Sequence, residues 1–125
     1  MTKILIVEDD SSTAEMLRMI LSKEGYQVRV ERDGANVLRA VREKHPDVIL
    51  LDAVLPGMDG HTIQKKLYAD KATKNIPIIM MTGNAHLEQV FVGKNNVSAF
   101  ITKPFTIKDV KEKIKDAAKG RHGKD

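Results

Sequence analysis

Two runs of four consecutive aliphatic residues, Ile4-Leu5-Ile6-Val7 and Val48-Ile49-Leu50-Leu51, each stop abruptly at carboxylates: Glu8 and Asp9 in the first case, Asp52 in the second. A short apolar run with no polar alternation reads as a strand covered on both faces, and such strands belong to parallel sheets flanked by helices. Two parallel strands ending this way bring three carboxylates to one edge of a sheet. Like charges in partial burial raise one another's pKa, so the cluster calls for a cation. A hard divalent ion with oxygen ligands suits it, and magnesium, which keeps several waters and pairs with carboxylates and phosphate oxygens, suits it best. That combination points to phosphoryl chemistry at a carboxylate.

Strand and helix periods alternate along the rest of the chain. Asp10 or Ser11 can cap a helix with Ala14, Leu17, Ile20 and Leu21 on one face, and Gly25 stops it. Residues 26–30 alternate as an edge strand should. Asp33 precedes a second helix carrying Val37, Leu38 and Val41, which His45-Pro46 ends because the residue before proline avoids the helical region. After the strand at 48–51, the turn Pro56-Gly57-Met58-Asp59-Gly60 leads into a third helix with Ile63 and Leu67 inward. Residues 76–81 read as a fourth strand, and Leu87, Val90 and Phe91 mark a short fourth helix. Residues 99–102 make a fifth strand, and Thr106 with Asp109 resembles a capping box opening a last helix with Val110, Ile114 and Ala117 inward. The expectation is an α/β domain: a doubly wound, five-stranded parallel sheet of order 2-1-3-4-5 with five helices, flavodoxin-like, strands two and five at the edges.

In such sheets ligands bind at the carboxyl ends of the strands, near the switch in strand order. Glu8, Asp9, Asp52, Thr82 and Lys103 each end or follow a strand. Taken singly, each has an ordinary role as a helix cap, turn former or surface lysine. Together they supply a metal site, a nucleophile and two groups for phosphoryl oxygens.

At 125 residues the chain is one domain, with 1–119 expected to fold and 120–125 to form a short basic tail. Cysteine is absent, which removes disulfides and thiolate metal sites, and with no signal peptide or membrane-length apolar run the reading is cytoplasmic. The net charge of +4 is concentrated C-terminally: from Lys108 to Asp125 seven Lys/Arg face four Asp/Glu. A solvated helix face accounts for this more readily than a nucleic-acid patch. No direct DNA binding is expected, since no recognition-helix module is visible.

The segments Ile4-Leu5-Ile6-Val7-Glu8-Asp9-Asp10, Leu50-Leu51-Asp52, Leu55-Pro56-Gly57-Met58-Asp59-Gly60, Met81-Thr82-Gly83 and Lys103-Pro104-Phe105 resemble, in order and spacing, the receiver domains of bacterial two-component response regulators. The resemblance runs from Lys3 to about Ala118. It implies that Asp52 is the phosphoacceptor, Asp9 a direct magnesium ligand, Glu8 a ligand through water, and the Val54 backbone carbonyl a further ligand. It implies that Thr82 and Lys103 bind phosphoryl oxygens and that the Lys103-Pro104 bond is cis. The phosphoryl donor would be a phosphohistidine on a sensor histidine kinase or phosphotransfer protein. Thr82 and Phe100 would form the switch, presenting a changed surface of the fourth helix, fifth strand and fifth helix to a target protein. Val54 and Asn84, two positions past the phosphoacceptor and the threonine, would tune the lifetime of the phosphoryl group.

Two departures from the family stand out: Phe100 lacks the hydroxyl of a tyrosine, and Lys94-Asn95-Asn96-Val97-Ser98 replaces the usual small residues before strand five. The expectation is a stand-alone phosphorylation-dependent signalling module, not a turnover enzyme, with self-catalysed transfer and slow autodephosphorylation. The alternative is a magnesium-dependent phosphohydrolase working through an aspartyl phosphate. That chemistry wants a second aspartate two residues after the nucleophile, where Val54 stands.

Overall fold

The computed structural model describes residues 1–83 and 95–122. Five parallel strands, β1 (Lys3–Val7), β2 (Gln27–Glu31), β3 (Val48–Asp52), β4 (Ile78–Thr82) and β5 (Val97–Thr102), form one sheet of order β2-β1-β3-β4-β5. Four α-helices are described: α1 (Ser11–Lys23), α2 (Val37–Lys44), α3 (Gly60–Ala69) and α4 (Ile107–His122). The expected helix around Leu87, Val90 and Phe91 lies outside the described residues. The C-terminal helix α4 runs through residue 122.

The two-sided sheet follows from the unbroken apolar strands. Alternate residues of a strand point to opposite faces, so Ile4, Ile6, Val48 and Leu50 pack with Leu17 and Leu21 of α1, together with Val110 and Ile114 of α4. Leu5, Val7, Ile49 and Leu51 feed the opposite layer, against Val37 and Val41 of α2 and Ile63 and Leu67 of α3. The outermost strands differ: β2 has no fully buried residue and β5 has one, Ile101.

Side-chain caps set the helix starts. Asp10 accepts from the Thr13 amide at 2.9 Å, Asp59 from the Thr62 amide at 2.9 Å, and Thr106 Oγ1 from the Asp109 amide at 3.1 Å. Gly25 follows α1 at φ 93°, and α2 ends at His45, held left-handed at φ 48° before Pro46. A 3₁₀ turn at Gly34–Asn36, capped by Asp33, precedes α2. β4 begins at Ile78 rather than Ile76, since Pro77 has no N–H for the ladder. β2 and β5 are displaced from their expected starts by one and two residues. In the last helix Ala117 packs against the core as expected, and Ala118, in the row 110, 114, 118, is buried beside it.

Gly34 is pinned by a neighbouring turn. A Cβ there would lie 2.0 Å from the carbonyl oxygen and 2.7 Å from the amide nitrogen of Met58, backbone atoms in the turn that leads to Asp59 and α3. Gly34→Ala is therefore expected to lower stability by about 3 kcal/mol, of the order of an overpacked core. Chemical denaturation of the variant beside wild type measures it.

Candidate functional site

The sheet's register assembles the site. β1 and β3 pair with Val7 opposite Leu51, so Glu8 and Asp9 emerge beside Asp52. Asp52 is opposite Met81, one residue before Thr82, and Thr82 is opposite Thr102, one residue before Lys103. Four strands thus deliver five polar side chains to one edge.

Carboxylate oxygens of Glu8, Asp9 and Asp52 lie within 4.8 Å of one another. Glu8 is completely buried, Asp52 is 6 % exposed, and Asp9 is exposed. Lys103 Nζ reaches into this cluster and donates to Glu8 Oε1 and to Asp52 Oδ2, both at 2.8 Å. The other Asp52 oxygen, Oδ1, accepts the Val54 amide at 3.0 Å, and Glu8 Oε2 accepts the Asp10 amide at 3.2 Å. Burial pushes the Glu8 carboxyl up to about 7, with Asp52 adding to the effect and the Lys103 hydrogen bond only partly offsetting it. For Lys103, burial alone would lower the pKa, but its hydrogen bonds to Asp52 and Glu8 prevail and raise it. The lysine stays charged, and its one positive charge does not fully compensate the carboxylates.

These residues fit a divalent cation. The donor set is all oxygen, and it gathers three carboxylates around one lysine. Among the described residues, no other group of three or more such ligands converges.

Thr82 is buried at the end of β4, and its carbonyl accepts the Lys103 amide at 2.9 Å. Phe100 stands apart from the carboxylates, partly buried against the layer containing Met80 and Val97. Val54 is 66 % exposed, its apolar side chain at the rim beside Asp52. Asn84 lies outside the described residues. The Lys103-Pro104 bond is cis.

Two contacts went unread in the sequence. Lys103 engages Glu8 as well as Asp52, and Arg32 Nη2 donates to the Asp9 carbonyl at 2.9 Å, tying the loop after β1 to the end of β2. Arg32 directly follows β2, and the other site residues end or follow a strand, so that position was the available signal.

The family model for the response regulator receiver domain matches residues 4–115. The chain is 40 % identical over 114 residues to the DNA-binding response regulator MtrA of Mycobacterium tuberculosis, covering 90 % of this chain and 49 % of that protein. It is 34 % identical over 116 residues to the sensory transduction protein RegX3 of Mycolicibacterium smegmatis, covering 92 % and 50 %. The chain spans about half the length of these curated relatives. Among solved structures, a CheY-like response regulator receiver domain protein from Methanospirillum hungatei superposes with a TM-score of 0.90 at 31 % identity, covering 100 % of this chain and 99 % of that one. The chemotaxis response regulator CheY4 of Vibrio cholerae gives 0.85 at 28 %, covering 94 % and 98 %.

Proposed function

We propose, from the premise that the chain belongs to the response regulator receiver domain family, that Asp52 accepts a phosphoryl group from a phosphohistidine on a histidine kinase or phosphotransfer protein. The observation that carries this reading is the 2.8 Å approach of Lys103 Nζ to both Glu8 and Asp52, inside a cluster whose carboxylate oxygens lie within 4.8 Å of one another. A nucleophilic carboxylate is useful toward phosphate only where negative charge on the transferring group is neutralised and attack is in line.

An Asp52 carboxylate oxygen attacks phosphorus, the P–N bond of the donor breaks, and its electron pair leaves with the imidazole. Lys103 gives its hydrogen bond on Asp52 over to a phosphoryl oxygen, acting as a point charge. Thr82, one residue beyond the partner of Asp52 on β4, supplies a hydroxyl to a second phosphoryl oxygen. Asp9, Asp52, the Val54 carbonyl and, through water, Glu8 would hold Mg²⁺, which when bound neutralises charge on the phosphoryl group. As Thr82 turns toward the phosphoryl group, Phe100 moves into the space it leaves, and the surface around β5 and α4 shifts population toward a form that binds a target protein. DNA binding is stated for MtrA, and here the output is read as protein binding at that surface. Among the described residues, no helix is long and apolar enough to cross a membrane.

The hydrolase alternative lacks its acid, since valine at position 54 can neither give nor take a proton. Treating the protein with acetyl phosphate tests the proposal: whole-protein mass spectrometry should show one phosphoryl adduct that needs Mg²⁺. An adduct formed equally well in chelator would defeat the metal-assisted reading.

Val54 also bears on lifetime. Its exposed apolar side chain, next to Asp52 at the rim, offers no hydrogen bond to an attacking water. Val54→Asn is expected to speed loss of the phosphoryl group by about tenfold, equivalent to about 1.4 kcal/mol in the barrier. Phosphate release followed in parallel for both proteins gives the ratio, and equal rates would remove Val54 from the account.

A further inference from the structure

The approach to β5 carries two consecutive asparagines, and both side chains are engaged. Among the described residues only His45 is a non-glycine at positive φ, so Asn96 is not there for its tolerance of left-handed backbone. Asn96 is 4 % exposed; its Oδ1 accepts from Gln64 Nε2 at 2.8 Å and its Nδ2 donates to the Gln64 carbonyl at 3.1 Å. Gln64, 2 % exposed on α3, sits between the core residues Ile63 and Leu67. One turn further along α3, the Tyr68 hydroxyl accepts from Asn95 Nδ2 at 2.6 Å. Two consecutive asparagines thus grip two residues four apart on one helix. Among the described residues Gln64 Oε1 has no partner, so the pair is kept in the core at the cost of a buried, half-satisfied amide.

The register of β5 begins at this grip. The Ile78 amide donates to the Asn96 carbonyl at 2.8 Å. Ile78 then pairs with Val97 but Ile79 pairs with Ala99, leaving Ser98 as the extra residue of a bulge. Beyond it Phe100 faces Met80, Ile101 faces Met81 and Thr102 faces Thr82. A one-residue slip would turn the fully buried Ile101 out of the core and move Lys103 off the carboxylates.

We propose that the Gln64–Asn96 amide pair, with Tyr68–Asn95 beside it, is a clasp that fixes the bulge and register of β5 and so positions Lys103 over Asp52. Gln64 and Asn96 are positioning residues acting from the far end of a six-residue strand, about 20 Å from the chemistry. The proposal rests on the reading of Lys103 as a phosphoryl ligand.

The test uses the full chain with Asn96→Ala and the double variant Gln64→Leu/Asn96→Ala, which removes both buried polar ends and keeps the experiment interpretable if the single variant does not fold. In the double variant, amide hydrogen exchange at Ile78 and Lys103 is expected to rise at least tenfold while the β1 amides keep their protection. At saturating Mg²⁺ the rate of phosphorylation by acetyl phosphate should fall about tenfold, with the Mg²⁺ concentration for half-saturation no higher than in wild type, because moving the Lys103 charge off Glu8 and Asp52 does not weaken a cation's hold there. Loss of fold alone would not produce that split. Wild-type exchange and transfer in the double variant would overturn the proposal, as would a uniform rise in exchange over all strands. A wild type that takes no phosphoryl group at all would defeat the phosphoacceptor reading instead, and the exchange pattern alone would then decide the clasp.

Discussion

Replacing Asp52 with asparagine is expected to abolish phosphorylation while leaving the fold in place. The amide is nearly isosteric with the carboxylate, and its oxygen can still accept one of the two hydrogen bonds that Asp52 takes from the Val54 amide and Lys103 Nζ. What it lacks is the nucleophilic oxygen, and Glu8 cannot substitute, since it is completely buried and its two oxygens are taken by Lys103 and the Asp10 amide. The expected loss in transfer rate is at least about a thousandfold, or ~4 kcal/mol in the barrier. Stability should change by less than about 1 kcal/mol, because the variant loses half of an ion pair but also relieves carboxylate crowding. Acetyl phosphate labelling with Mg²⁺, read by mass spectrometry, measures the first, and denaturant unfolding the second. A variant labelled as fast as wild type would move the acceptor elsewhere.

The second large effect is on stability against pH in the metal-free protein. Glu8 is pushed from its ordinary 4.5 up to about 7 in the folded chain, chiefly by burial. The folded state therefore binds more protons than the unfolded state between those values. Its contribution to stability is fully present below about pH 4.5 and is lost as pH rises through about 7, a change of up to about 3 kcal/mol. Asp10, Asp59 and Asp70 have lowered pKa values, and their stabilisation is lost only as pH falls through their folded values, below this window. Metal-free wild type should thus be measurably less stable at pH 8 than at pH 5, and Glu8→Gln should flatten that slope whatever its effect on stability at any one pH. Excess Mg²⁺ should flatten it too, since a bound cation favours the charged carboxylate. A wild-type slope retained in Glu8→Gln would show that the buried carboxylate is not its source.

The fold was legible because its main signals are local. Unbroken apolar runs at 4–7 and 48–51 declared two-sided strands, Asp10 or Ser11 and Thr106 offered helix caps, and the turn at 56–60 led into α3. The carboxylate cluster was legible because the ends of neighbouring parallel strands must meet at one edge. Contacts between elements far apart in the chain were not. That Lys103 would divide itself between Glu8 and Asp52 depends on side-chain reach across three strands, which no spacing encodes. Asn95 and Asn96 could be noticed as unusual, but their partners Gln64 and Tyr68 lie on a helix about thirty residues earlier, and amphipathic patterning takes a glutamine for a surface residue. The two-residue error at the start of β5 has the same origin, because the bulge at Ser98 is fixed by the clasp and by Ile78 rather than by the apolar pattern of β5 itself.

Locating the phosphoryl group by covalent trapping bears most directly on the account. Wild-type protein is treated with acetyl phosphate and Mg²⁺, reduced with borohydride so that an aspartyl phosphate becomes homoserine, and fragmented for sequencing by mass spectrometry. Homoserine should appear at position 52 alone, and not when Mg²⁺ is withheld. Homoserine at position 9, or a stable phosphate on a histidine or hydroxyl residue with position 52 unchanged, would contradict it.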